Sequence, residues 1–264
     1  MKNTVRTTLV ATVTVSLLGI STARAQDDDY TKDTWPLEAT KRPLTLDAGM
    51  LEIRGDTFMF NLTKDAVGEP FALAPDVYYG VNKKLTVGIT HEVGICLAGE
   101  DKGCTKVYND FTIDALYGIM LKGSFQLAGH GGLAFKSIDP FMMGLNVGLL
   151  GRINAGNVAI VFDPRLYVGF TERDNAALPG KEQLSIPLWL QFQVNPQTMA
   201  YAVSGFEGPL EDFSDFYRVP LGLGALFAIN NRLDFGGEFQ FTNLLGKDGD
   251  ADGRLLILRA ALRL

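Results

Sequence analysis

Cysteine, histidine and tryptophan are scarce, with two of each in 264 residues. So few ligands exclude a Cys/His metal centre, and Cys96 and Cys104 lack the CxxC spacing of a redox or zinc motif. Basic residues are outnumbered, 24 against 30 acidic, for a net charge of −6, and no basic patch stands out. That argues against nucleic acid as a partner. No glycine-rich phosphate loop follows a strand and opens a helix, so no nucleotide cofactor is implied. Beyond the first 25 residues, no apolar run reaches the ~18–20 residues a membrane helix needs. The chain is nevertheless 47% hydrophobic and 20% charged, which excludes a disordered protein.

The first 25 residues read as an export signal. Lys2 and Arg6 form a positive start. Thr8 to Ile20 is an apolar run of about 13 residues, too short to anchor, and Ala23-Arg24-Ala25 is an A-x-A cleavage site before Gln26. No cysteine follows the run, so a lipid-anchored form is not expected. Residues 26–43 are polar, with Asp27, Asp28 and Asp29 at their start, and read as an N-terminal tail. Export places Cys96 and Cys104 in an oxidising compartment, where a pair this close usually closes a loop; two free thiols are the alternative.

From residue 44 to residue 264, period-two alternation dominates. Phe111, Ile113, Ala115, Tyr117, Ile119 and Leu121 interleave with Thr112, Asp114 and Gly118. The same pattern recurs around Val77–Val81, Leu85–Ile89, Phe141–Leu149, Val158–Phe170, Leu184–Phe192, Leu233–Phe241 and Leu256–Leu264. One greasy face and one polar or small face is the signature of strands. Short turns, such as Asn82-Lys83-Lys84, Lys122-Gly123 and Asn195-Pro196, alternate with longer polar loops near residues 63–69, 94–109, 171–182, 207–215 and 243–252; Ser137 to Pro140 is brief. The count is about twelve strands if Leu44 to Leu62 is one strand carrying a bulge, and an even number is expected of a barrel.

A soluble β-sandwich also alternates. These strands, however, run to roughly 10–13 residues, where soluble ones average ~5–6 and membrane ones need ~9–11. Aromatics also gather beside the long loops, at Phe71, Phe111, Phe135, Phe141, Phe170, Tyr217 and Phe241, as an interfacial girdle requires. Pro75, Pro164, Pro187 and Pro220 fall within predicted strands and mark ends or bulges. On these features the chain resembles Gram-negative outer-membrane β-barrel proteins of porin-like architecture. The resemblance covers residues 44–264 and includes a last strand reaching Leu264, where that class typically ends in Phe. It implies an all-β fold, an antiparallel up-and-down barrel embedded in outer-membrane lipid.

The inward parity then carries Asp76, Glu92, Asp114, His130, Lys136, Arg152, Asp163, Arg165, Arg218, Asp234, Glu238, Arg259 and Arg263, together with many glycines. Charges of both signs and small residues point to a narrow water-filled pore for ions or small solutes. The alternative is a barrel plugged by its own paired charges, serving as a scaffold or adhesin through its loops. A membrane-embedded hydrolase is a third class, with His91 on the outward parity and His130 on the inward one. Asp248, Asp250 and Asp252 begin like a calcium loop, but Arg259 stands where the bidentate acid belongs, so no metal site is assigned.

Overall fold

The computed structural model describes residues 30–64, 67–99, 104, 106–174 and 181–264. The export signal (Lys2, Arg6, Ala23, Arg24, Ala25, Gln26) and Asp27 to Asp29 lie outside the described residues.

Among the described residues, fifteen strand segments form one antiparallel sheet: β1 (Leu51–Asn61), β2 (Phe71–Leu73), β3 (Pro75–Asn82), β4 (Leu85–Thr90), β5 (Ile95–Ala98), β6 (Phe111–Met120), β7 (Phe125–Ile138), β8 (Phe141–Ala155), β9 (Val158–Phe162), β10 (Arg165–Gly169), β11 (Gln183–Asn195), β12 (Thr198–Pro209), β13 (Leu221–Ala228), β14 (Leu233–Phe241) and β15 (Arg254–Arg263). β2 with β3, β4 with β5, and β9 with β10 are successive pieces of single crossings. The result is a closed 12-strand barrel. The sheet closes where β1 pairs β15, from Glu52 opposite Arg263 to Asn61 opposite Leu255. Closure gives every strand two neighbours, so no edge is left to be satisfied by lipid.

The alternation sorts as the pattern requires, inside out relative to a soluble protein. Ile113, Tyr117, Leu149, Leu190, Phe192, Leu223 and Phe235 are exposed on the outer face. Buried positions include Glu52, Asp76, His130, Arg152, Asp163, Gln193, Asp234 and Arg263. Polar groups turned inward and apolar groups turned out fit a protein whose outer solvent is hydrocarbon. Rings chain along the long-loop rim: Phe71 stacks on Phe60 at 4.7 Å, Phe111 on Phe135 at 4.4 Å, and Tyr108 on Phe111 at 6.0 Å. Cys96 and Cys104 are joined in a disulfide on the same side.

Irregularities fall where sequence chemistry puts them. Pro75 opens β3, Pro164 separates β9 from β10, and Pro220 precedes β13. Only Pro187 lies inside a strand, opposite Gly205. In β1 the register shifts between Gly55 and Phe58, a bulge that sets two residues against Arg259. It turns Phe58 outward after Glu52 and Arg54 have faced in.

The first strand starts at Leu51, not Leu44. Leu46 and Met50 pack instead with Trp35 and Tyr78, forming an apolar cluster of buried residues. Residues 30–50 thus fold against the inner wall at the short-turn end. Gly80 makes room for them: a Cβ there would lie 1.9 Å from the Asp47 carbonyl oxygen. Gly80 also donates its N–H to Met50 O (2.9 Å) and accepts from Gly49 N (2.8 Å).

Candidate functional site

The strands surround a cavity of about 490 Å³. Of the inward charges named from the sequence, Asp76, Glu92, Asp114, His130, Arg152, Asp163, Arg165, Asp234, Arg259 and Arg263 line it. Lys136 and Glu238 sit on the wall strands β7 and β14. Arg218 lies just before β13 and bridges β12: its N–H donates to Glu207 O (2.7 Å), its carbonyl accepts from Glu207 N (3.1 Å), and Nη1 is 3.7 Å from Glu207 Oε1.

Among the described residues, four charged groupings occupy the barrel. At the short-turn end, Arg263 donates to Glu52 Oε2 (2.5 Å) and Asp234 Oδ2 (2.6 Å). Arg42, from the N-terminal segment, reaches the same Asp234 with Nη1 at 2.6 Å and Nη2 at 2.9 Å. Burial holds the Arg42 guanidinium below its usual value, while the hydrogen bond to Asp234 acts the other way. Arg54 donates to Glu52 Oε1 (2.6 Å) and lies over the Tyr78 ring. Further hydrogen bonds fasten the segment: Thr40 N to Gln193 Oε1 (3.2 Å), Thr45 Oγ1 to Lys83 O (2.7 Å) and Leu46 N to Thr86 Oγ1 (2.8 Å).

Deeper in, His130 Nε2 is 2.9 Å from Asp163 Oδ1, and Arg165 donates from Nε (3.0 Å) and Nη2 (2.5 Å) to Asp163 Oδ2. Gly148 faces His130 across β7 and β8; a Cβ at Gly148 would stand 2.5 Å from its Nε2. Asp114 Oδ1 lies 3.6 Å from His130 Nδ1 and accepts no hydrogen bond. On another wall, Arg259 pairs with Glu238 at 2.9 Å and donates to Tyr201 Oη at 3.2 Å. Toward the long loops, Lys136 pairs with Glu92 and lies over the Tyr167 ring.

Arg152 differs from the rest. It is 9% exposed, its Nη1 donates to the Arg42 carbonyl oxygen, its Nε has no hydrogen-bond partner, and no carboxylate pairs with it among the described residues.

His91 corrects the sequence reading. Its side chain does not face outward: it is 7% exposed, with Nδ1 3.6 Å from Asp76 Oδ1 and Nε2 3.0 Å from Tyr108 Oη. β4 ends at Thr90 and the chain bends before β5, so strand parity no longer applies at residue 91. Neither histidine contacts a serine hydroxyl among the hydrogen bonds of the described residues. In the Asp248–Asp252 loop, Asp250 Oδ1 accepts the N–H of Asp252 (2.8 Å), and Asp252 lies 3.6 Å from Arg254. No group of three His, Cys, Asp or Glu side chains converges there or elsewhere among the described residues.

Sequence reasoning missed Arg42, Glu52, Arg54, Trp35 and Gln193. Arg54 and Glu52 share one parity between Leu51 and Gly55, a signal hidden by reading the first strand from Leu44. Gln193 was on the inward side of its strand but carried no charge to draw notice.

No protein-family model matches the chain, and no curated protein matches it. Solved structures do. A KdgM porin in complex with disordered oligogalacturonate superposes with a TM-score of 0.52 at 8% identity, covering 81% of this chain and 97% of that one. A NanC porin superposes with a TM-score of 0.52 at 11% identity, covering 80% and 97%. At such identities the likeness is one of fold, and the fold is the outer-membrane β-barrel.

Proposed function

We propose that this chain is a passive outer-membrane channel for small polar solutes, narrowed at its short-turn end by residues 30–50. The reading rests on one observation: a closed ring of strands encloses a cavity of about 490 Å³ whose lining is charged with both signs. Residues 1–25 would direct export and be removed before Gln26, leaving the short turns in the periplasm and the long loops outside. The two porins of like fold support a solute path; the oligogalacturonate bound by one of them is not carried over, because this lining is mixed rather than uniformly basic. The charges named above would tune ion preference rather than exclude one sign.

Planar-bilayer recording of the refolded mature chain tests this. Small discrete current steps with weak ion preference are expected. Silence from protein shown to be inserted would remove the channel and favour the second reading, a non-conducting scaffold. That reading has its own support: Arg42 bound to Asp234, and Arg152 bound to the Arg42 carbonyl, tie residues 30–50 across the lumen.

A further inference from the structure

The lumen is not uniform around its circumference. Leu150, Val161, Trp189, Met199, Tyr201 and Leu226 line the cavity from β8, β9, β11, β12 and β13. Those five segments are successive neighbours in the sheet, so the six side chains form one apolar arc of wall. The polar lining on the same segments is Asn146, Gln191 and Arg152. None of the carboxylates lining the cavity stands there, so Arg152 is the one charged side chain of the arc among the described residues.

Register sets Arg152 beside the rings. It lies opposite Val161, and Val161 lies opposite Trp189, so the three share one row of the sheet. At ~4.8 Å between strands, the Arg152 and Trp189 backbones are roughly 10 Å apart, with both side chains turned into the cavity. The other guanidiniums of the lining, on Arg42, Arg54, Arg165, Arg259 and Arg263, each pair with a carboxylate. Arg152 pairs with none: its Nη1 is taken up by the Arg42 carbonyl oxygen, and its Nη2 makes no hydrogen bond among the described residues. A cation held in apolar surroundings without a counter-charge is costly, and an anion seated beside it offsets that cost. A bare inorganic anion would leave Trp189 and Leu226, both partly exposed, facing water. An anion carried on an apolar ring covers them as it pairs.

We infer that the lumen binds small aromatic carboxylates, with the carboxylate on Arg152 and the ring against the Trp189 side of the apolar arc. An aromatic ring is favoured there over an alkyl group of equal area, because aromatic pairs gain beyond their burial. The cavity, about 490 Å³, is within the ~300–1,000 Å³ of small-molecule sites, so an acid of one or two rings fits. This solute class deepens the channel reading and rests on it for the way in.

The test is a calorimetric titration of the folded protein in detergent with benzoate, benzamide and acetate, each corrected for its heat in empty micelles. Benzoate is expected to bind roughly tenfold more tightly than benzamide, since losing the charge removes a charge-assisted hydrogen bond. It should also bind roughly tenfold more tightly than acetate, which has no ring to bury. R152Q should abolish the preference for benzoate over benzamide, and W189A most of the preference over acetate. The wild-type comparison decides even if a variant fails to fold. Equal binding of benzoate and benzamide, equal binding of benzoate and acetate, or no binding of benzoate overturns the inference. So does folded R152Q protein that keeps the preference for the charged form. Protein that conducts but shows neither preference sinks this inference and spares the channel. Protein that binds benzoate with both preferences yet is silent in the bilayer removes the channel and leaves the site.

Discussion

Arg42 and Asp234, 192 residues apart, meet in a two-pronged pair, with Nη1 2.6 Å and Nη2 2.9 Å from the two carboxylate oxygens. The pair fixes a segment that belongs to no strand against the last third of the barrel. Asp234 is 1% exposed and also holds Arg263, so it acts as a common anchor for the wall and the segment.

Breaking that anchor should widen the channel. R42A leaves Asp234 with Arg263 still bound, so the loss should be below the ~3–5 kcal/mol of a buried charge left wholly unpaired. Single-channel conductance is expected to rise, and residues 30–50 should become accessible to protease. G80A approaches the same end by a steric route, because its Cβ collides with the Asp47 carbonyl. Unchanged conductance in both variants would mean the segment does not limit the path.

The outer face predicts a sharp asymmetry between adjacent residues of β11. Leu190 is 52% exposed and faces lipid, while Gln191 lines the lumen. L190R should cost about 2–4 kcal/mol near the bilayer midplane, whereas Q191R should cost much less. Urea unfolding in liposomes measures both. Similar costs would contradict the assigned faces.

The Cys96–Cys104 bridge ties the chain after β5 back to Cys96 on that strand, with a sequence separation of 8. For so short a loop the chain-entropy account gives about 2–3 kcal/mol, confined to the loop. Reduction should expose the region after β5 to protease while heat resistance of the barrel persists. Loss of that resistance would show that the bridge supports the wall itself.

Orientation is open to a direct check. Lys181 lies in the β10–β11 connection, paired with Glu211, whereas Lys83 and Lys122 lie in short turns. Trypsin applied to intact cells should cut after Lys181 and spare Lys83 and Lys122. Cutting at the short turns instead would invert the proposed topology.

Much of the wall was legible in the sequence. Along Phe111 to Met120, Ile113, Tyr117 and Ile119 are turned outward while Thr112 and Asp114 line the cavity, with Leu116 an apolar exception on the cavity side. The prolines were legible too: three of the four fall at strand ends or breaks, because a residue without N–H is tolerated there. Where the ladder breaks, parity fails as a guide, and His91 shows it: it lies in a bend after β4 and turns inward.

Sequence alone determined that this chain forms a long-stranded barrel with a polar interior. Side chains alternate at each step of a strand, so a strictly local pattern fixes which face meets lipid, and a membrane requires the sheet to close. Only the tertiary structure decided what fills the interior. That Arg42 crosses to Asp234 and that Leu46 and Met50 turn from strand positions to a cluster on Trp35 both depend on contacts between distant residues. Such contacts follow from how the barrel closes and where the segment folds back, and they leave no periodic trace in the sequence.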